Sequence, residues 1–345
     1  MVERLPCKQY RFKPYRVLHL HVLPPFYGAA DAPLSHRPKI HDLRKKSAAL
    51  ADRKFAIVCL TKSSQRVPKG ALFLYAIKEG IPMDLIVRKI PQNDTIKVYP
   101  VSDVHLGSIL HDKEGWQAFC RRVEREDAYL ILGGDLINNN TRNAVGSPFE
   151  DYIRPREQKK MMVEMITPIK DKILCAVSGN HEARTARDTD QDIMGDIMCK
   201  LDMEDYYAED IAFLKLEIGR RVTRDIPITS YTMAVTHGSG GGIYTGATVN
   251  RNERFGYTIE GIDALIVGHT HKGTISKPKK IVVDSNNNVI RTKQLVVVSC
   301  TAWQQYGGYA ARKMLLPSSE SDHEQPQTLL LCGNKTGTKR ITTVW

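Results

Sequence analysis

From residue 96 onward the sequence predicts an α/β fold. Short apolar runs of strand length alternate with longer, helix-permissive stretches. Five of those runs stop at polar segments made of Gly, Asp, Asn and His. No internal repeat competes with this reading. In open α/β sheets, sites form where strands end and loops begin, so the observations that predict the fold also predict where its site lies.

The elements follow in order. Ile96–Val101 reads as a strand running into Asp103, and Trp116–Arg125 as a helix. Ala128–Leu132 is a strand that ends at Gly133-Gly134-Asp135. Pro155–Lys170 is an amphipathic helix with proline at its start. Ile173–Val177 is a strand ending at Gly179-Asn180-His181, and Gln191–Leu201 is a helix. Ile211–Ile218 and Tyr231–Val235 are strands, the second ending at His237. Ala264–Val267 ends at Gly268-His269. Leu295–Ser299, Gln327–Leu331 and Ile341–Val344 read as closing strands, and Ser318–Gln327 as a polar loop.

The first 94 residues differ in kind. Residues 1–55 hold Pro24-Pro25, scattered charges and short apolar runs, and predict irregular structure. His19, His21, His36 and His41 have no metal-site spacing and read as surface residues. Phe55–Leu60 reads as a strand, Gly70–Glu79 as helix-permissive, and Pro82–Lys89 as a second helical or extended piece. Two short helices around Gly80 would suit a helix-turn-helix-like DNA reader; a small docking subdomain is the simpler reading. We place the boundary near Pro91–Asp94, giving an N-terminal region 1–94 and a catalytic domain 95–345.

Bulk properties narrow the class. Of 345 residues, 42% are hydrophobic, enough for a sizeable core. No apolar run reaches the roughly 18 residues that span a bilayer. Residues 1–16 lack the apolar core of a signal peptide. A cytoplasmic protein with no membrane partner is the expectation. The seven cysteines are scattered without CxxC pairing and predict free thiols. The net charge of +12 is uneven: residues 1–95 carry 18 Lys/Arg against 7 Asp/Glu, and the rest is nearly neutral. Such asymmetry points to an anionic partner such as nucleic acid; a solvated basic surface is the alternative.

The five strand-end segments are Asp103-Val-His105, Gly134-Asp135, Gly179-Asn180-His181-Glu182, His237-Gly238 and Gly268-His269-Thr-His271. Mixed oxygen and nitrogen donors suit borderline divalent metals. Two such metals a few ångströms apart are a standard device for hydrolysing phosphate esters. Asp103 and His105, one residue apart, reach a common metal only from a turn, because a regular strand points them along the same face at a distance. His269 and His271 have the same spacing and the same implication. Asp135 has two oxygens with which to bridge a metal pair. Glycines beside these residues let the chain turn sharply.

This ordered set resembles the motifs of the calcineurin-like metallophosphoesterases, over roughly residues 96–310. The resemblance implies two mixed β-sheets packed as a sandwich, flanked by helices, with a dinuclear site at the strand ends. It implies one metal held by Asp103, His105, Asp135 and His271, and a second by Asp135, Asn180, His237 and His269. Mn²⁺ is the metal it suggests, with Fe or Zn as alternatives. It implies hydrolysis by a hydroxide activated between the metals, with His181 stabilising the transition state or protonating the leaving oxygen. Glu182 is expected to orient a neighbouring histidine.

Other residues remain open. Arg184 and Arg187 would clamp a substrate phosphate or pair with Asp188, Asp190 or Glu182. Asn138, Asn139 and Asn140 suit hydrogen bonding at the site mouth or a simple turn. Gly238–Gly242 resembles a phosphate cradle, although a flexible wall is the simpler reading. Tyr244, Phe255, Tyr257, Trp303 and Tyr306 offer stacking faces or core packing. His111 and His323 match no motif and read as surface residues. The function expected is a phosphodiesterase acting on nucleic acid, nuclease- or repair-exonuclease-like. A phosphodiesterase or phosphatase for a small phosphoester is the runner-up, and a non-catalytic scaffold on the same fold a remote third. Oligomeric state is not readable.

Overall fold

The computed structural model describes residues 85–345, apart from 93, 143, 145–146, 221–227, 241, 243 and 337. The four N-terminal histidines, the Phe55–Leu60 strand and the helix-turn-helix reading lie outside the described residues.

The first described element is a strand, β1 (Leu85–Ile90), followed by β2 (Ile96–Val101). Helix α1 (Lys113–Glu126) starts at Asp112, whose side chain accepts from Gly115 N at 3.0 Å and satisfies one free helix-end donor. Then come β3 (Tyr129–Leu132) and α2 (Pro155–Ile166). The sequence predicts α2 to run to Lys170. It tightens instead into a 3₁₀ turn over Thr167–Lys172, because Pro168 lacks an N–H and crowds the residue before it. Strand β4 (Ile173–Val177) leads into α3 (Glu182–Thr189), which the sequence did not predict. Helix α4 (Ile193–Lys200), capped by Asp192, precedes β5 (Tyr207–Ala208), β6 (Ile211–Ile218) and β7 (Thr229–Thr236). Helix α5 (Thr245–Thr258) and strand β8 (Ala264–Val267) follow. After β9 (Thr274–Ser276), the hairpin β10 (Lys279–Asp284) and β11 (Val289–Gln294) protrudes with most of its residues exposed. Strand β12 (Val296–Ser299), a short α6 (Gly308–Arg312), β13 (Thr328–Leu331) and β14 (Ile341–Val344) complete the chain.

These strands form two six-stranded mixed sheets, β1-β6-β7-β8-β12-β9 and β14-β13-β2-β3-β4-β5. In the second sheet β2, β3 and β4 pair in parallel. In the first, β7 and β8 pair in parallel. Parallel neighbours end at the same edge, so each sheet delivers its polar segments together. The apolar runs of β3 and β4 are buried on both faces, as central parallel strands are. Strand β6 alternates half-buried and buried residues, the pattern of a strand covered on one face.

Strand β1 pairs in parallel with β6 from Leu85↔Phe213 to Ile90↔Ile218. The compact unit containing both sheets begins at Ile81. Strand β1 supplies an edge strand, and Ile86 and Ile90 insert into the core between the sheets. That core also includes Val98, Ile131, Val177, Leu214, Leu216, Met233, Ile266 and Val298. On the outer face of β2 and β3, Trp116 and Phe119 of α1, Met162 of α2 and Ile197 of α4 pack on Tyr99, Leu130 and Leu132. Trp303 belongs to this layer, 5.3 Å from Trp116 in an edge-on contact, so it is a core residue and not a stacking face. Helix α5 lies outside the first sheet, with Gly256 against Leu295 and Leu265. Cys120, Cys175, Cys300 and Cys332 are free thiols. No helix among the described residues is long and apolar enough to cross a membrane.

Leu214 is fully buried between the sheets. Leu214→Ala is expected to lower unfolding free energy by about 2–5 kcal/mol in denaturant titration. A loss below about 1 kcal/mol would contradict the buried placement.

Candidate metal centre

All five polar segments meet at one edge of the sandwich. The loop after β2 runs alongside the loop after β3: Asp103 N donates to Gly134 O and His105 N to Asp135 O, both at 3.0 Å. The donor residues take the turn that their spacing demands. Asp103, His105, Asp135, His269 and His271 all have positive φ, between 50° and 71°. This left-handed region costs an L-residue about 1–3 kcal/mol each and clusters at functional sites. Asp and His tolerate it better than branched residues do.

The glycines contribute in two ways. Gly134, at φ +88°, makes the turn itself. Gly179 is needed for space: an added Cβ would strike the Asp135 backbone nitrogen and Oδ1.

Three groups of donor atoms assemble: Asp103, His105 and His271; His105, Asp135 and His181; and Asp135, His237 and His269. His105 Nε2 and His271 Nε2 face each other at 3.1 Å. His271 Nε2 lies 3.1 Å from Asp103 Oδ1, a buried oxygen that accepts no hydrogen bond. His237 Nδ1 donates to Gly133 O at 2.8 Å, leaving Nε2 to face Asn180 Oδ1 at 3.0 Å and Asp135 Oδ2 at 3.1 Å. His269 Nδ1 approaches Asn180 Oδ1 at 2.7 Å. Lone pairs thus point at lone pairs, and positive charge between them is the remedy. His237 meets the same demand by favouring its own charged form. Burial opposes its charge, but the Asp135 carboxylate prevails and raises its pKa to about 10. Burial also opposes ionisation of Asp103, yet His271 and His105 hold its carboxyl well below the usual range. The donor set fits two borderline divalent cations.

Asp135 serves both halves through one oxygen. Its Oδ1 accepts from His181 N at 2.8 Å. Its Oδ2 lies 3.1 Å from His237 Nε2, 3.7 Å from His181 Nε2 and 4.0 Å from His105 Nε2. The His181 N–H occupies one lone pair of Oδ1, while Oδ2 faces the histidines.

Glu182 also departs from expectation. It hydrogen-bonds to no histidine among the described residues. Its Oε2 accepts from Asp135 N and Gly179 N at 2.9 and 3.0 Å, and its Oε1 from Leu136 N and Ile137 N at 2.7 and 3.2 Å. The loop ends of β3 and β4 leave four backbone donors unpaired, and one buried carboxylate satisfies them. Desolvation, then repulsion from Asp135, raises its pKa to about 7 against the pull of those donors.

Arg184 lies in the first turn of α3. It forms no ion pair among the described residues. Its Nη1 donates to Asn138 O at 3.2 Å and Asn140 Oδ1 at 3.0 Å, and its Nη2 lies 2.9 Å from His181 Nε2. His181 Nδ1 in turn approaches Asn138 O at 2.6 Å. The three consecutive asparagines are buried braces. Asn138 and Asn140 donate to Asp151 Oδ1, and Asn139 donates to His181 O and Thr185 Oγ1. These amides brace the loops beside the site.

A cavity of about 550 Å³ opens on the cluster. Arg184 and Lys272 line it, with an apolar wall from Ile109, Leu110, Tyr306, Leu315 and Leu316. Gly240 and Gly242, described members of the glycine-rich stretch, border it as well. His111, read from sequence as a surface residue, is half-buried behind this wall. Its Nδ1 lies 2.8 Å from Val104 O, and burial lowers its pKa to about 4. Loop-on-loop packing of this kind has no periodic sequence signal.

Residues 96–273, half of the chain, match the family model of the calcineurin-like phosphoesterases. The chain belongs to the calcineurin-like phosphoesterases. Such a phosphoesterase domain, with these Asp and His clusters, supports a metal-dependent hydrolase of phosphoesters. No curated protein matches the chain. Among solved structures, a conserved uncharacterised protein of Streptococcus pneumoniae TIGR4, described as a predicted phosphoesterase, aligns at 13% identity and a TM-score of 0.27. That alignment covers 72% of this chain and 98% of the other. GAP50, described as the anchor in the inner membrane complex of Plasmodium, aligns at 7% identity and a TM-score of 0.34, over 73% of this chain and 90% of its own.

Two outcomes are expected of variants in this phosphoesterase centre. Glu182→Ala strands buried N–H groups and lowers unfolding free energy by about 2–3 kcal/mol or more in denaturant titration; an unchanged midpoint would contradict the clamp. His111 has a folded pKa below its ordinary value of 6.5. Its neutral form is favoured in the fold, so stability is retained above pH 6.5 and lost as pH falls towards 4. Relative to wild type, His111→Gln should gain stability across that window, by at most about 3 kcal/mol. A difference that does not change with pH would contradict this.

Proposed function

We propose that this chain is a metal-dependent phosphodiesterase acting on nucleic acid, with Mn²⁺ as its resident metal. The observation that carries the reading is the clustering of His105, His237, His269, His271 and Asn180 around only two carboxylates, Asp103 and Asp135. With two dications the centre would stay positive and attract a phosphoryl group. In this reading Asp103, His105, His271 and Asp135 hold one ion, and Asp135, Asn180, His237 and His269 the other. A bound pair of divalent ions supplies Lewis acidity toward phosphoryl oxygens and a water acidified to react near neutral pH.

The chain's own residues handle the substrate and the proton. Arg184 faces the cavity with a planar fork suited to phosphoryl oxygens. Burial first, then His105 and Arg184, lowers the His181 pKa to about 3 against the pull of Asp135. A neutral His181 donating from Nδ1 to Asn138 O receives the Arg184 N–H at Nε2. A phosphoryl group that draws Arg184 to itself frees Nε2 and raises its basicity. His181 is then placed to hold a proton for the leaving oxygen. The apolar wall at Tyr306, Leu315 and Leu316 suits the organic arm of an ester. The basic character of residues 1–95, 18 Lys/Arg against 7 Asp/Glu, suits a polyanion.

A nucleotide or other small phosphoester is the second reading. It is favoured by the ion pair of Arg312 with Glu150, at 2.6 and 3.3 Å, which ties together two segments bordering the cavity.

The test is Mn²⁺-dependent hydrolysis of bis-p-nitrophenyl phosphate beside labelled single- and double-stranded DNA. Both should be cleaved, and Asp135→Ala should abolish both reactions. His181→Ala should lower kcat by about 10²–10⁴-fold. The DNA reaction should fall steeply with salt. Cleavage of the small diester alone would select the second reading. No turnover with metal bound would contradict both.

A further inference from the structure

A second cavity, of about 480 Å³, also reaches the donor cluster. Asn180 lines both cavities, and His237 lines this one. Its wall includes Arg251, Asn252 and Phe255, which share one face of α5 because residues three and four apart in a helix are neighbours. Phe255 is 42% exposed, an aromatic ring left uncovered beside the opening. The same helix carries three buried polar atoms without a hydrogen-bond partner: Thr248 Oγ1, Arg251 Nη2 and Asn252 Nδ2. Asn252 is only 3% exposed. Native chains leave few such groups unpaired, and each calls for an explanation.

The rest of the lining decides which ligand fits. Glu209 and Asp210 are exposed members of the same cavity. A second phosphoryl group would meet Arg251 but also these two carboxylates. A nucleobase is uncharged, offers hydrogen-bond donors and acceptors in one plane, and presents a face to stack on an aromatic ring. The cavity volume lies within the range of ordinary small-ligand sites, roughly 300–1,000 Å³.

We propose that this second cavity is a nucleoside subsite, in which Phe255, Arg251 and Asn252 receive the nucleoside on one side of a scissile phosphodiester while the larger cavity receives the other side. The inference rests on the phosphodiesterase reading above and gives a physical reason for diester preference. A diester has two organic arms, and each has a cavity meeting the other at Asn180. A monoester leaves one cavity unused.

Two measurements on the full chain with Mn²⁺ test it. The first compares the p-nitrophenyl ester of thymidine 5′-monophosphate with methyl p-nitrophenyl phosphate, which has no group for the subsite. Phe255→Ala and Arg251→Ala should each raise KM for the thymidine ester about tenfold while leaving the methyl ester within about twofold of wild type. Equal losses on both esters, or no change on the thymidine ester, would overturn the subsite. The second follows binding of thymidine alone by ligand-observed NMR, which needs no turnover. Binding by wild type that weakens in Phe255→Ala supports the subsite even if neither ester is hydrolysed, in which case the phosphodiesterase reading fails by itself. Absence of thymidine binding at millimolar concentration, or binding unchanged in both variants, overturns the subsite.

Discussion

The Glu182 carboxylate ties the ends of β3 and β4 together. Four backbone N–H groups, from Asp135, Leu136, Ile137 and Gly179, converge on its two oxygens. The chain cannot be relaxed at any of these points without leaving a buried donor unpaired, a loss of about 1–3 kcal/mol per group. Asp135 is thereby held in its left-handed turn, and its carboxylate is aimed at His237 and His105. The first residue of α3 thus determines where the central carboxylate of the donor cluster lies.

The rest of the centre repeats this logic with other partners. Asp103 Oδ2 accepts from His269 N at 2.9 Å, so the first and last polar segments are tied across the two sheets. Gly133 O sets the tautomer of His237. Ser102 Oγ lies 3.1 Å from both Gly133 O and Gly134 O, adding a buried bond under the turn. Backbone strain at five donor residues is offset by this network and by the core beneath it. What remains unsatisfied is electrostatic: lone pairs of histidine, asparagine and carboxylate face one another across about 3 Å, where a cation in a low-dielectric pocket gains most.

Much of this was legible in the sequence, for a specific reason. Asp103-x-His105 and His269-x-His271 encode the turn locally, since that spacing reaches one ion only through the left-handed backbone seen at all four residues. The strands feeding them are short, apolar and bounded by glycine. Non-local features were not legible. Helix α3 has the polar sequence EARTARDT, and its only buried residue is Glu182, so no apolar stripe announces it. Helix α5 contains glycine and has no side-chain cap. The β10–β11 hairpin exposes Ile281, Val283 and Ile290, against the usual expectation that apolar alternation marks a buried face. Three of the four donors to Glu182, and the edge pairing of β1, involve partners 45 or more residues away, beyond any local pattern.

The central claim is that these segments form one centre for two metal ions with Asp135 between them. A crystal of the full chain grown with Mn²⁺ and measured for anomalous scattering at the manganese edge tests it most directly. Two peaks a few ångströms apart are expected, one against Asp103, His105 and His271, the other against Asn180, His237 and His269, with Asp135 Oδ2 next to both. A single peak, or manganese bound elsewhere with these lone pairs still facing each other, would contradict it.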